Sequence, residues 1–124
     1  MSLASLIESH NELHPRARVE ARAEAGQIGL TLTGDLEMKS SNDLGPLLEA
    51  ALLECPARGR LVLDLSGVGY ISSTGVGLLA TTMVSAEGRS ITFVLLDIPA
   101  RVRVIMDTLG LLTFFNVEES HAAG

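Results

Sequence analysis

Three consecutive hydroxyl side chains, Ser72, Ser73 and Thr74, follow an apolar segment and precede a helical pattern. The backbone N–H groups in the first turn of a helix have no partners within the helix, and the helix dipole favours negative charge there. A hydroxyl at this place can cap the helix, and it can also carry a phosphate that the helix end stabilises. The triplet therefore predicts either a structural cap alone or a site of regulation by phosphorylation.

The segment before the triplet, GVGYI at residues 67–71, holds half of a dinucleotide-binding fingerprint. Ser72 replaces the third glycine of that fingerprint, and Lys39, the only lysine of the chain, lies too far away for a phosphate-binding P-loop. A hydrolase elbow would need a glycine two residues before its serine, which neither Ser72 nor Ser73 has. An anion cradle in a small enzyme or ligand-binding protein is disfavoured but stays open, and no cofactor is predicted.

The other reactive residue types are scattered along the chain. His10, His14 and His121 lie near the two ends, where we expect surface histidines without a catalytic or metal-binding role. Cys55 ends an apolar helical stripe and is expected to be a small core residue. Asp64 is expected to point into a loop or toward a neighbouring backbone N–H, without a second carboxylate to share acid–base work. The sequence does not predict an enzyme.

Length and composition exclude several classes of protein. The 124 residues suffice for one domain with a single core, and the net charge of −6 argues against a basic nucleic-acid interface. No apolar run approaches the ~20 residues of a membrane span, and the N-terminus lacks the pattern of a secretory signal. A single cysteine fits a reducing cytoplasm. We therefore predict a cytoplasmic protein without direct membrane insertion, whose oligomeric state stays open.

The elements that would position the triplet alternate between strands and helices. Residues 1–15 are expected to form a short helix or a loose arm, and residues 118–124, which carry no structural signal, a loose tail. Alternating and continuous apolar runs predict strands at residues 19–23, 28–33, 61–65, 91–96 and 113–117. Three apolar stripes with helical spacing lie between the last four strands, at residues 44–55, 76–84 and 102–109, and the last stripe is expected to bury Leu109.

The residues that flank these stripes predict where the elements begin and end. The candidate N-caps of the first stripe are Ser40, Ser41, Asn42 and Asp43. Pro46 should lie in the first helical turn, because proline breaks a helix interior. A tight turn is expected between residue 65 and the triplet. Crossover helices make the sheet mainly parallel, and the opening hairpin adds an antiparallel edge, so an α/β fold is predicted.

Three spaced segments resemble the STAS family, whose fold is shared by bacterial anti-sigma factor antagonists and the tails of sulphate transporters. They are the GDL turn at residues 34–36, DLSGV at 64–68, and LGL at 109–111 followed by Phe114 or Phe115. The longer run DLSGVGYISSTGVGLL at residues 64–79 looks like the signature segment of the family. The resemblance covers most of the chain, and it implies one STAS-like domain over residues 1–124 that acts as a switchable binding module.

The signature of the antagonists usually reads Asp-Ser-Ser/Thr-Gly, and the serine after the aspartate is phosphorylated by a partner that is both kinase and anti-sigma factor. On this chain Ser73 takes the phosphorylated position, and Thr74 and Gly75 follow in register. Ser72 takes the aspartate position, so a carboxylate is missing beside the site. The implied partners are an anti-sigma factor with serine kinase activity and a phosphatase.

The partner is expected to dock on the helix that follows the triplet, where Leu78, Thr81 and Thr82 are predicted to be exposed. Phosphorylation of Ser73 would then remove the partner without a change of fold. The alternative within the same family is a non-phosphorylated STAS subunit of a larger stress-sensing or lipid-transport assembly.

Overall fold

One mixed sheet of five strands, in the order β1-β2-β3-β4-β5, organises residues 2–120, the part of the chain that this computed structural model describes. The strands are β1 (Ala17–Glu24), β2 (Gln27–Leu36), β3 (Arg60–Ile71), β4 (Thr92–Leu96) and β5 (Asn116–Glu118). The helices are α1 (Leu3–Leu13), α2 (Met38–Glu54), α3 (Ser73–Gly88) and α4 (Ala100–Thr108), followed by a 3-10 turn at Leu112–Phe114. β1 and β2 are antiparallel and the other neighbouring pairs are parallel, which confirms the predicted α/β fold.

Aliphatic side chains fill the space between the sheet and the helices. The central strand β3 contributes Leu61, Leu63 and Leu65, all fully buried, as expected of a parallel strand inside a sheet. Leu48 of α2 and Leu79 of α3 are equally buried in the same cluster. The core therefore fixes both crossover helices against the strands that precede them. In residues 2–120 no helix combines the length and the apolar character needed to cross a membrane.

β3 is longer than its sequence pattern predicts, and the tight turn expected after residue 65 is wrong. Its 12 residues run beside the 10 residues of β2, with a register shift before Thr33–Gly67 and another before Asp35–Tyr70. Each shift places one extra residue in β3, which is a β-bulge. The GDL segment likewise forms the end of β2 and not a turn. Because β3 continues to Ile71, the chain enters α3 from a strand, and no glycine cradle surrounds the helix start.

α2 begins at Met38, ahead of all four predicted caps. Its N-cap is Glu37, which forms a capping box with Ser40, and the Glu37 N–H donates to Ser40 Oγ at 3.0 Å. Pro46 consequently lies in the middle of the helix and not in its first turn. Proline removes the N–H that the Asn42 carbonyl would accept, but both residues are exposed, so water can satisfy that carbonyl.

The two ends of the chain are more ordered than the sequence pattern indicates. Residues 3–13 form α1, the first of the two alternatives left open. At the other end Glu118 belongs to β5 and pairs with Arg60 at 2.8 Å, while the Ser120 N–H donates to Asp97 Oδ1 at 2.7 Å. The expected lack of structure from residue 118 onward is therefore wrong for residues 118–120. Residues 121–124, with His121, lie outside the described part.

Candidate functional site

The hydroxyl triplet lies where β3 ends and α3 begins. Ser72 is the N-cap, with an extended backbone (φ −78°, ψ 165°) and an Oγ that accepts from the Gly75 N–H at 3.1 Å. Its own N–H donates to the Leu36 carbonyl at 2.8 Å, which ties the cap to the end of β2. The predicted helix start is confirmed, and Ser72 alone supplies the structural cap.

Ser73 is the first residue of α3 and is exposed. Within residues 2–120 its hydroxyl forms no hydrogen bond, and neither does the hydroxyl of half-buried Thr74. Because Ser72 already caps the helix, the fold does not need the Ser73 hydroxyl. That group is therefore both accessible and free to be modified.

Gly75 fixes the first turn of α3 against the rest of the protein. A Cβ at this position would lie 2.7 Å from Ile71 Cγ1 and 3.0 Å from Ser41 Oγ, both on buried residues. A side chain would therefore force α3 away from β3 and α2. The absence of a Cβ holds the start of α3 close to both elements and positions Ser73 at the surface.

An uncharged groove of about 320 Å³ adjoins Ser73 between the end of β3 and α4. Its exposed apolar residues are Tyr70 (43%), Val104 (64%) and Leu109 (44%). The expected burial of Leu109 is wrong, because this residue is the C-cap of α4, where the helix ends. The groove was not predicted from the sequence, although Val104, an apolar residue off the buried stripe of α4, was a signal for it.

The three residues predicted to bind a partner differ in accessibility. Thr81 is exposed as expected, and Leu78 is half-buried, with its Cδ1 3.6 Å from where a Cβ of Gly45 would lie. Thr82 is only 3% exposed, so its predicted exposure is wrong. Its hydroxyl donates to the Leu78 carbonyl at 2.9 Å, and a satisfied hydroxyl can be buried at little cost.

The other residues considered for chemistry have structural surroundings. His10 is buried and not on the surface: Nε2 donates to the Ala17 carbonyl at 2.8 Å, and burial lowers the pKa of His10 below its ordinary value of 6.5. His14 lies 2.7 Å from Asp43. Cys55 is buried as predicted, and burial raises the pKa of its thiol. Among the described residues no group of three or more His, Cys, Asp or Glu could hold a metal ion.

Asp64 accepts from the Ser66 N–H at 2.9 Å, which is the second of the two alternatives left open for it. The site thus consists of a capped helix start, a spare hydroxyl and an uncharged groove. This arrangement is that of a small α/β module that offers a surface for binding, and its central strand and helix start bear the segment that resembles the STAS signature.

Comparison with known proteins establishes the family. Residues 15–124 match the model of the STAS domain, and the chain belongs to the STAS family. The matched range begins after α1. No curated protein sequence matches the chain.

Several solved structures share the fold at low sequence identity. The anti-sigma factor antagonist SpoIIAA in its unphosphorylated form has a TM-score of 0.69 and 17% identity, with 86% of this chain and 89% of that chain covered. An anti-sigma factor antagonist from Mycobacterium paratuberculosis has a TM-score of 0.69 and 21% identity, over 85% and 87%. A sulfate transporter family protein from Wolinella succinogenes has a TM-score of 0.67 and 19% identity, over 82% of each chain.

Proposed function

We propose that this protein is a binding module of the anti-sigma factor antagonist kind, switched by phosphorylation of Ser73 in the cytoplasmic control of transcription. The observation that carries the proposal is the exposed Ser73 hydroxyl, which the fold does not use because Ser72 caps α3. SpoIIAA, which shares the fold, has been solved in a phosphorylated form as well. The proposed partners are an anti-sigma factor with serine kinase activity and a phosphatase that reverses the modification.

The switch would work through charge and not through refolding. A phosphate adds roughly −1.5 to −2 charges at neutral pH. The free N–H groups at the start of α3 can donate hydrogen bonds to the phosphate oxygens, so the protein itself tolerates the modification. No residue that lines the adjoining groove carries a positive charge, so the added charge stays uncompensated beside the apolar surface of Tyr70 and Val104. We expect a partner to bind this surface when Ser73 is unmodified. After phosphorylation, the same partner would have to remove water from the charged phosphate, which weakens its binding.

In this proposal the catalysis and the binding surface come from different proteins. The kinase and the phosphatase would catalyse the chemistry, and this protein would supply only the hydroxyl and the surface around it. The proposed docking surface combines the Ser73 groove with the exposed side of α3 at Thr81. Thr82 is not part of it, because it is buried.

The deciding experiment is phosphopeptide mapping after incubation with ATP and the anti-sigma factor kinase from the same genome. Ser73→Ala should abolish the modification and keep partner affinity, while Ser73→Asp should keep the fold and weaken binding. Thr74→Ala is the matched control, since it removes the neighbouring hydroxyl and should leave both properties in place. Phosphate on another residue, or full binding by Ser73→Asp, would contradict the proposal.

One departure from the family pattern favours a second candidate function. Ser72 stands where the antagonists carry an aspartate, so the site lacks a carboxylate next to the accepting serine. A STAS subunit that serves a larger stress-sensing or lipid-transport assembly without phosphorylation would not need that carboxylate. If Ser72→Asp becomes a kinase substrate and the wild type does not, this second function is the better one.

A further inference from the structure

α1 covers the first half of the outer edge of β1. The Asn11 side chain takes the place of a neighbouring strand, because its Nδ2 donates to the Val19 carbonyl at 2.9 Å and its Oδ1 accepts from the Val19 N–H at 2.8 Å. One residue earlier on α1, His10 Nε2 donates to the Ala17 carbonyl at 2.8 Å. Helix side chains thus satisfy both outward backbone groups of Val19 and the carbonyl of Ala17, whose N–H donates to the His14 carbonyl at 3.0 Å.

The second half of β1 has no such cover. Backbone groups of alternate residues point to the same side of a strand, so Ala21 and Ala23 direct theirs outward as Val19 does. In the described part of the chain nothing bonds to them there, and β1 is an edge strand. A groove of about 400 Å³ separates these residues from the first turns of α1, at Leu3 and Ile7. An open strand edge with space beside it is a template for another strand.

The charged side chains of β1 face no opposite charge on the neighbouring strand β2. The side chains between the outward-bonding residues alternate in sign and are exposed: Arg18, Glu20, Arg22 and Glu24. Their partners on β2 are all uncharged: Thr33, Thr31, Gly29 and Gln27. Among residues 2–120 the only ion pair they form is an exposed one along the strand, Arg22–Glu24 at 3.8 Å.

A second copy of β1 supplies the missing complement. If two copies pair antiparallel around Ala21, Arg18 of each lies opposite Glu24 of the other, and Glu20 lies opposite Arg22. Every charged residue then faces the opposite charge across the pair, which stabilises strand pairing. Ala21 pairs with its own copy, and Val19 pairs with Ala23.

We infer that β1 is a docking strand for a second copy of this chain, and that Asn11 competes with this docking. The Val19–Ala23 pairs need the outward N–H and C=O of Val19, which Asn11 occupies in the single chain. The interface is two-fold symmetric and joins two sheets into one of ten strands. The inference is independent of Ser73, since it concerns the edge strand β1, which does not line the Ser73 groove.

The test is the monomer–dimer equilibrium, measured by sedimentation with Asn11→Ala in the full chain. This variant frees Val19 and should lower the dimer dissociation constant at least about tenfold. In hydrogen exchange, the amides of Ala21 and Ala23 should become protected as the dimer forms. If Asn11→Ala loses its helical signal, Asn11→Asp replaces it, because the carboxylate removes only the donor to the Val19 carbonyl.

Charge variants then test the register. Arg18→Glu, added to the Asn11→Ala variant, sets like charges opposite each other at two symmetric places and should weaken the dimer about tenfold. A further Glu24→Arg in the same chain should restore the dimer. Arg101→Glu, on exposed α4, is the control with the same change in net charge. The inference is overturned if both Asn11 variants stay monomeric, if Arg101→Glu weakens the dimer as much as Arg18→Glu, or if Glu24→Arg fails to rescue.

Discussion

α2 and α3 both begin after a parallel strand at the same edge of the sheet, yet their first turns use their hydroxyl groups differently. At α2, Ser40 accepts from the Glu37 N–H and is 5% exposed, so its hydroxyl is bonded and buried. At α3, Ser72 caps the helix. Ser73 beside it is exposed, and its hydroxyl forms no hydrogen bond within the described residues. The comparison separates hydroxyls that the fold requires from one that it does not.

The grooves that adjoin the two helix starts differ in charge. The start of α2 borders a groove of about 490 Å³ whose lining includes the charged residues Arg16, Glu37 and Lys39. The start of α3 instead opens onto the groove beside Tyr70 and Val104. The two helix starts therefore border grooves of different character, charged at α2 and uncharged at α3.

The largest effect should come from the core that holds α3 in place. Leu79→Ala removes a fully buried side chain and should lower the free energy of unfolding by about 2–5 kcal/mol. Val84→Ala, on the exposed side of the same helix, should change it by less than about 0.5 kcal/mol. Denaturant titration compares the two, and equal midpoints would show that α3 is not fixed by this packing.

Removing one hydroxyl from each helix start tests whether the fold needs the hydroxyl at α2 and not the one at α3. Ser40→Ala should cost about 1–2 kcal/mol, since it leaves the Glu37 N–H without its partner. Ser73→Ala should stay within about 0.5 kcal/mol of the wild type. Thermal or chemical unfolding gives both values, and a loss at Ser73 as large as that at Ser40 would remove the distinction.

A third substitution separates capping from modification. Ser72→Ala should cost about 1 kcal/mol because the Gly75 N–H loses its acceptor, whereas Ser72→Asp should keep the cap. The free energy of unfolding, measured for both variants and the wild type, tests these two expectations. If Ser72→Asp is as unstable as Ser72→Ala, the cap depends on the hydroxyl in a way that the geometry does not explain.

Acidification should disturb the α2 end and spare the α3 end. Burial lowers the pKa of His10 below 6.5, so the neutral form stabilises the fold above pH 6.5, and this contribution is lost as the pH falls below that value. The hydrogen bond to the Ala17 carbonyl and the nearby Asp43 oppose this lowering of the His10 pKa, and His14 adds to it. In an NMR titration, amide shifts of Ala17 and Val19 should follow His10, while those of Ser73 stay constant.

Residue spacing and capping residues within short segments predicted the features that depend on neighbouring residues along the chain. The hydroxyl triplet, the start of α3 and the order of strands and helices follow from spacing and capping, and the structure confirms them. The long-range features were missed: the β-bulges need the register of two strands, and the burial of His10 and Thr82 depends on packing that no short segment encodes. The groove was missed for the same reason, since Tyr70 and Val104 lie on different elements.

The two bulges of β3 make the number of its residues as important as their identity. Side chains alternate along a strand, so deleting one residue between Ser66 and Tyr70 would turn Ile71 out of the core and carry the Ser72 N–H away from the Leu36 carbonyl. An added residue would have the same consequence. The turn at Ala25 and Gly26, by contrast, can be lengthened without moving the site. Insertions and deletions should therefore be tolerated at one end of the sheet and excluded from the other.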